Sequence, residues 1–387
     1  MVLFSSKLPL EGKTVVELGH SLAAPYAGHI LAHLGAQVIK IEPAGSGDYA
    51  RDWGVASSGG MAVMFHAINC GKKSIVADLR DTLSVQRLKR FIFHEADIVV
   101  QNMKAGTVER IGLDAQTLRA KKPGLIYCNI SAFGQVGPLR DAPGYDPLVQ
   151  AVSGLMSLTG NPGGEPVRVP VSLNDMGSGM WSVIGILSAC LEQERSGFGR
   201  TIDTSLYETS LAWITVQLSD YLASGELPGK HGSGNANIVP YQSFRCLDGE
   251  LLIAAGNDRL FRALCVAIDM PEYGTDPLYA TNSARIRNKP ALVALLQAAI
   301  AKFPVAELER RLEANGVPAG PINTIATSAA SPQTEALGII EKTPGDGVQI
   351  VGIPLSFDGV RPPVAGRSPK LGEHVAILGG QDATEGA

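Results

Sequence analysis

Of the residues whose type and setting suit chemistry, Asp175 in VPVSLNDMGSGM (169–180) comes first. An extended apolar segment ends there and a long helical pattern opens, with Gly177 and Gly179 leaving its first turns open. A carboxylate at a helix N-terminus meets free N–H groups and the positive end of the dipole, which favour its ionised, nucleophilic form. Aspartate is equally a favoured N-cap, worth about 1 kcal/mol with no function at all, and on spacing alone that plainer reading is the stronger. GYDPLVQ (144–150) sets Tyr145 and Asp146 ahead of an apolar helical segment, the form of a capped helix start. QNMKAGTVERIG (101–112) joins a strand end at Asn102 to a helix carrying Arg110. An arginine at such a crevice can hold a phosphate, whereas one on open surface is simply solvated. The loop GSGNANIVPYQ (232–242), with Gly232 and Gly234, is of the kind that serves as a linker or a lid.

These residues need a frame, and the first 150 positions supply one. Short apolar runs at Val15–Leu18, Gln37–Ile41, Ser74–Ala77, Ile98–Val100 and Leu125–Ile130 alternate with helical patterns near 24–35, 82–95, 107–111 and 115–120. That alternation predicts an α/β fold with a Rossmann-like, doubly wound parallel sheet. A long helix over Met176–Glu194, a short strand at Thr201–Asp203 and a helix from Leu206 to Ser224 follow. Beyond the loop, YQSFRCLDGELLIAAG carries a hairpin turn at Asp248-Gly249, and helices near 258–268, 290–302 and 305–315 complete a smaller α+β domain. After Gly316 the chain is irregular and proline-rich, with few helix signals. The opening VVELGHSLAAPYAGHILAHLGAQVIKIE has the outline of a dinucleotide-binding half-domain without its fingerprint. Gly19 is present, but Ser21 and Ala24 occupy the second and third glycine positions, and Leu22 and Pro25 crowd the turn.

The 387 residues suffice for about two domains with large cores. A net charge of −4 with no Lys/Arg cluster argues against nucleic acid or an anionic membrane surface as partner. Five scattered cysteines with no Cys-x-x-Cys spacing, and no His-Glu-x-x-His, point to reduced thiols and no metal site. With no signal-peptide pattern and no long apolar run, the expected location is the cytoplasm.

Taken in order, the motifs ELGHSLAAPYAGHILAHLGAQVIKIEP, GSGDYAR, NCGKKSIVADLR, QNMKAGTVERIG, SAFGQVGPLRDAPGYDPLVQAVSGLM, PVSLNDMGSGMWSVIGILSA, TIDTSLYE, GVPAGPI and SPKLGEH resemble the class III CoA-transferases of the formyl-CoA transferase or CaiB/BaiF type. The resemblance runs from about residue 8 to residue 378. It implies that Asp175 attacks an acyl-CoA thioester, giving an acyl–aspartyl anhydride and then an aspartyl-CoA thioester. It further implies that His20, Ser21, Ala77, Asn102, Thr107, Arg110 and Tyr145 contact CoA, with His20, Tyr145 and Asp146 as possible assistants. CoA and acyl-CoA would be substrates, with a small carboxylic acid as acceptor and no tightly bound cofactor. Pro43 stands where formyl-CoA transferase has an arginine, leaving Arg51 or Lys72 to compensate. Leu22 replaces a glutamine near that enzyme's acyl site, which speaks against formyl or oxalyl specificity. The glycine loop lacks that enzyme's unbroken glycine run.

The family's racemase branch carries Gly-His-Asp where this chain has Gly144-Tyr145-Asp146, and a tyrosine of pKa about 10 is a poor base at neutral pH. Transfer is therefore favoured over racemisation, and an intact Asp175 argues against a non-catalytic accessory role. The family architecture implies an interlocked homodimer. Within each chain, residues 1–200 would form a large CoA-binding domain, 201–225 a linker helix and 226–325 a small domain. Residues 326–387 would return to the large domain.

Overall fold

The computed structural model describes residues 7–57 and 60–379; the outermost ends of the expected large domain, 1–6 and 380–387, lie outside them. Two compact units emerge. One takes in the chain up to Leu155, Arg168–Gly225 and everything from Gln333, and the other Met156–Val167 with Glu226–Pro332.

The first unit is built on β1 (Thr14–Leu18), α1 (Ala23–His33), β2 (Gln37–Glu42), α2 (Val63–Asn69), β3 (Lys73–Val76), α3 (Thr82–Glu95), β4 (Ile98–Gln101), α4 (Thr107–Arg110), α5 (Ala115–Lys121) and β5 (Ile126–Ser131). It continues with α6 (Asp146–Val152), and after α7 (Leu155–Leu158) with α8 (Leu173–Ser196), β6 (Thr201–Ser205), α9 (Leu206–Trp213) and α10 (Thr215–Ser224). The six strands form one parallel sheet in the order β3-β2-β1-β4-β5-β6. Its strands read as continuous apolar runs because both faces are covered: one core cluster gathers Val15, Val38, Ile98, Val100 and Ile126, another Val16, Ile39, Val99 and Tyr127. From β1 the chain winds outward to β3, then crosses back to β4. The reversal opens a crevice at the carboxyl ends of β1 and β4, where open α/β sheets bind ligands.

Local sequence explains the helices. Asp81 and Asp114 cap α3 and α5 by accepting from Ser84 N and Thr117 N, both at 2.9 Å. In α3, Val85, Leu88, Phe91 and Ile92 form the buried stripe. Helix α8 lies close against α1 because it presents small residues there; a Cβ on Gly179 would stand 2.9 Å from Ala23 O. Three helical expectations need correction. The long helix begins at Leu173 rather than Met176. The helix expected over Leu206–Ser224 is broken at Ile214 into α9 and α10. The last segment, read as nearly helix-free, carries α16 (Pro332–Leu337), a hairpin of β10 (Ile340–Lys342) and β11 (Gln349–Val351), and α17 (Ala376–Gly379). It is fastened to the first unit where Gly71 N donates to Arg367 O at 3.0 Å and His374 N to Ser74 O at 2.9 Å.

The second unit has a three-stranded antiparallel sheet of β7 (Tyr241–Arg245), β8 (Glu250–Ala254) and β9 (Ala319–Pro321). Helices α11 (Asp258–Ala267), α12 (Asn282–Arg287), α13 (Lys289–Ile300) and α14 (Val305–Ala314) pack around Phe244, Leu251, Phe261, Leu296 and Leu308, and α15 (Ile325–Ala329) follows β9. Among the described residues no single helix is long and apolar enough to cross a membrane.

Candidate active site

The site grows from the turn after β1. Ser21 there holds a φ of 66°, an uncommon conformation for a non-glycine residue, and its surroundings fix it. Asn102, at the end of β4, grips the backbone of His20 on both sides: Oδ1 accepts from His20 N and Nδ2 donates to His20 O, each at 3.0 Å. Asp48 Oδ1 accepts from Ser21 N at 2.9 Å, and Lys40 Nζ donates to Gly19 O at 2.9 Å. The His20 ring meets Ser21 Oγ through Nδ1 at 3.0 Å. Burial lowers the His20 pKa from its ordinary value, opposed by Asp48 and aided by Lys40, so the ring is neutral at physiological pH.

Under this turn lies a chain of buried charges. The parallel register sets Glu17 opposite Lys40. Lys40 Nζ sits 2.8 Å from Glu17 and 2.7 Å from Asp48, and Lys72 Nζ 2.7 Å from the other oxygen of Glu17. Burial depresses both ammonium groups. For Lys40 its two carboxylates outweigh burial and its pKa rises, whereas Lys72, sharing one, falls to about 8. Lys40→Met is expected to destabilise the protein by about 3–5 kcal/mol, because Glu17 and Asp48 would remain buried with one cation fewer. Urea unfolding checks this; a loss below ~1 kcal/mol would mean the carboxylates find water.

Arg51 and Lys72, the expected substitutes for the arginine missing at Pro43, are both engaged elsewhere. Arg51 Nε and Nη2 clasp the Glu42 carboxylate at 2.8 and 2.7 Å, and its guanidinium lies 3.9 Å from the centre of the Phe65 ring. Neither side chain lines the cavity above the sheet. That cavity, of about 720 Å³, opens over the carboxyl ends of β1 to β4 and is lined by His20, Pro43, Ala77, Arg80, Thr107 and Arg110 among others. Its basic groups are thus Arg80, paired with Asp78 at 3.0 Å, and Arg110, which has no ion pair among the described residues.

A second cavity of about 230 Å³ adjoins, with His20 lining both. His20, Ser21, Leu22 and Asn102 line it together with Tyr145, Asp146 and Asp175. The structure therefore brings His20, Ser21, Ala77, Asn102, Thr107, Arg110, Tyr145, Asp146 and Asp175 to two cavities sharing one residue, and leaves Arg51 and Lys72 out of both. Gly232 and Gly234 stand in the second unit, where Gly232 N donates to Gly160 O at 3.0 Å and Gly234 N to His231 O at 2.8 Å. Tyr145 is 67% exposed.

Asp175 is not the helix cap that its spacing suggested. It lies in the first turn of α8, behind Ser172 at the N-cap, whose side chain makes no capping bond. Asp146 takes that role from a distance: its Oδ2 accepts from Asn174 N at 2.6 Å and Asp175 N at 3.3 Å, while its Oδ1 accepts from Gln150 Nε2 at 2.5 Å. The second carboxylate opposes the helix-terminus effect. Asp175, half-buried and surrounded mainly by protein, has its pKa raised to about 7, first by burial and then by the charge of Asp146. Among the described residues no group donates a hydrogen bond to its carboxyl. An aspartate so placed is poorly solvated and reactive once ionised. Sequence reasoning passed over Asp48 and Lys40, which set the turn, and Trp53 and Met64, which line the smaller cavity; of these, Lys40, in the motif ending QVIKIEP, and Asp48, in GSGDYAR, belonged to motifs already singled out.

The family model described as "CoA-transferase family III" matches residues 10–375. The succinate–glutarate CoA-transferase of Agrobacterium fabrum is 40% identical over 96% of this chain and 94% of its own length. The acetyl-CoA:oxalate CoA-transferase of Acetobacter aceti is 39% identical over 96% and 95%. A crystal structure of a CaiB/BaiF family protein from Brucella suis superposes with a TM-score of 0.87 at 40% identity, covering 97% of this chain and 99% of that one.

Proposed function

The chain belongs to CoA-transferase family III, and from that premise we propose that it moves CoA from an acyl-CoA thioester to a short dicarboxylic acid by covalent catalysis at Asp175. The observation that carries the reading is the position of Asp175 in the smaller cavity, joined through His20 to the larger one. The nucleotide end of CoA would occupy the larger cavity against Arg110 and Arg80, with Ala77 and Thr107 flanking it. The pantetheine arm would pass over the His20-Ser21 turn and Asn102, bringing the thioester to Asp175.

In the first step an Asp175 oxygen attacks the thioester carbonyl, the C–S bond breaks and CoA leaves as thiolate, forming a mixed anhydride. The thiolate then attacks the aspartyl carbonyl, expelling the donor acid and leaving an aspartyl-CoA thioester. The acceptor carboxylate attacks that thioester and releases the thiolate, which finally takes the acyl group from the second anhydride and frees Asp175. Each step exchanges leaving groups of similar energy, so no barrier carries the whole transfer. Water must be kept out while the anhydride and the thioester persist. The substrate class draws on the succinate–glutarate and acetyl-CoA:oxalate relatives and on the size of the smaller cavity.

The enzyme would act as an interlocked homodimer, with a large CoA-binding domain and a smaller one. The exposed apolar side chains of Met180, Trp181, Ile184 and Leu191 along α8 favour such a partner. The deciding experiment mixes the protein with succinyl-CoA and quenches with hydroxylamine or borohydride. Peptide mass spectrometry should find Asp175 as the hydroxamate or the reduced alcohol. Unmodified Asp175 with every acyl-CoA donor tried would overturn the covalent route.

A further inference from the structure

Further along α1, among residues that line neither cavity, two imidazoles and a thiol converge without any part in the transfer chemistry. His29 and His33 stand one turn apart on α1, and Cys70 follows the last residue of α2. All three are buried, and one ligand atom from each lies within 4.8 Å of the other two. Cys70 Sγ is 3.9 Å from His29 Nδ1. His33 Nδ1 lies 2.9 Å from His29 O, a carbonyl that can only accept, so Nδ1 carries the proton and Nε2 a bare lone pair. That Nε2 is buried with no hydrogen-bond partner, although its ring is fully enclosed. An orphaned acceptor of this kind calls for an explanation.

From these contacts we propose that His29, His33 and Cys70 form a structural site for a divalent metal of the zinc class. The donor set is two imidazole nitrogens and a thiolate, which suits tetrahedral Zn²⁺ and not the oxygen-seeking cations. A backbone carbonyl fixing one histidine's tautomer is the usual support behind a metal-bound imidazole. The carboxylate of Glu341, on β10, stands nearby outside this set of three. It acts electrostatically on both His33 and Cys70, and its Oε1 is buried without a partner while Oε2 accepts from Val364 N at 3.2 Å. The nearby Lys72 is already neutralised by Glu17 at 2.7 Å and directed at Pro25 O and Asn69 Oδ1. A bound metal would clasp α1, which leads out of the His20-Ser21 turn, to the end of α2. No local sequence motif marks such a site, because the thiol stands 41 residues from His29.

The test uses the full-length protein stripped with chelator and titrated with Co²⁺, then with Zn²⁺. About one equivalent per chain should bind, giving a thiolate-to-cobalt charge-transfer band that Zn²⁺ abolishes, and raising the melting temperature. Cys70→Ser should lose the band, and a variant with Cys128, Cys190, Cys246 and Cys265 all replaced by serine should keep it. Should Cys70→Ser not fold, His33→Gln serves in its place, with the band weakened or lost. Absence of a thiolate band in the wild type, or a band unchanged by either of these single substitutions, overturns the proposal.

Discussion

Asp175→Asn is expected to lower kcat for CoA transfer by at least about 10⁴-fold, the scale on which removal of a covalent nucleophile is felt. An amide at this position keeps the shape but cannot attack a thioester and regenerate. The same substitution should leave the fold intact and make it more stable at pH 8. In the native protein the Asp175 carboxyl titrates at about 7, raised by burial and by Asp146, whereas in the unfolded chain it has its ordinary lower value. A raised folded-state pKa means that the native state holds the proton more tightly. The stability this group contributes is full below the unfolded value and is lost as pH rises through about 7. Asp175→Asn has no such loss, so its melting temperature should overtake that of the wild type as pH rises, with the gap closing toward pH 4. A structural carboxylate, by contrast, would cost stability when neutralised. Activity down and alkaline stability up is therefore a paired outcome that separates a strained nucleophile from a helix cap. Retained transfer activity would sink the mechanism, and a destabilised variant at pH 8 would sink the electrostatic account of the site.

How far the sequence revealed this arrangement depends on the range of the interactions involved. The strands of the first unit were legible because a parallel sheet covered on both faces must be written as short unbroken apolar runs, and Val15–Leu18, Gln37–Ile41 and Ile98–Val100 stand within a residue of the observed bounds. The break between α9 and α10 at Ile214 left no glycine or proline to mark it. Charge partners were the least legible feature. Arg51 and Lys72 looked free to meet a phosphate because nothing in their own segments neutralises them. Their partners, Glu42 and Glu17, lie on neighbouring strands and reach them only through the tertiary fold. Asp175 was found for partly the wrong reason. Its cap lies 29 residues earlier at Asp146, and the effect of that cap on the nucleophile is the reverse of what a helix terminus alone provides.

Asp146→Asn exposes that reversal most directly. Asp146 is 2% exposed, and its oxygen at the start of α8 holds two backbone amides while its charge bears on Asp175. Asparagine retains an acceptor for an amide and removes the charge. The Asp175 pKa should then fall below about 7 but stay above an ordinary aspartate, because burial, the larger cause, is untouched. Transfer requires the carboxylate, so on the acid side the wild-type rate drops about tenfold for each pH unit. The acid limb of kcat/KM should accordingly move to lower pH in the variant, which retains more of its own plateau at pH 5.5 than the wild type does. The plateau itself should fall, because a less basic carboxylate is a weaker nucleophile. Asp146→Ala should move the limb in the same direction and add about 1 kcal/mol of lost capping to the unfolding free energy. That pair separates charge from cap. An acid limb that stays in place in both variants would show that burial alone sets the reactivity of Asp175.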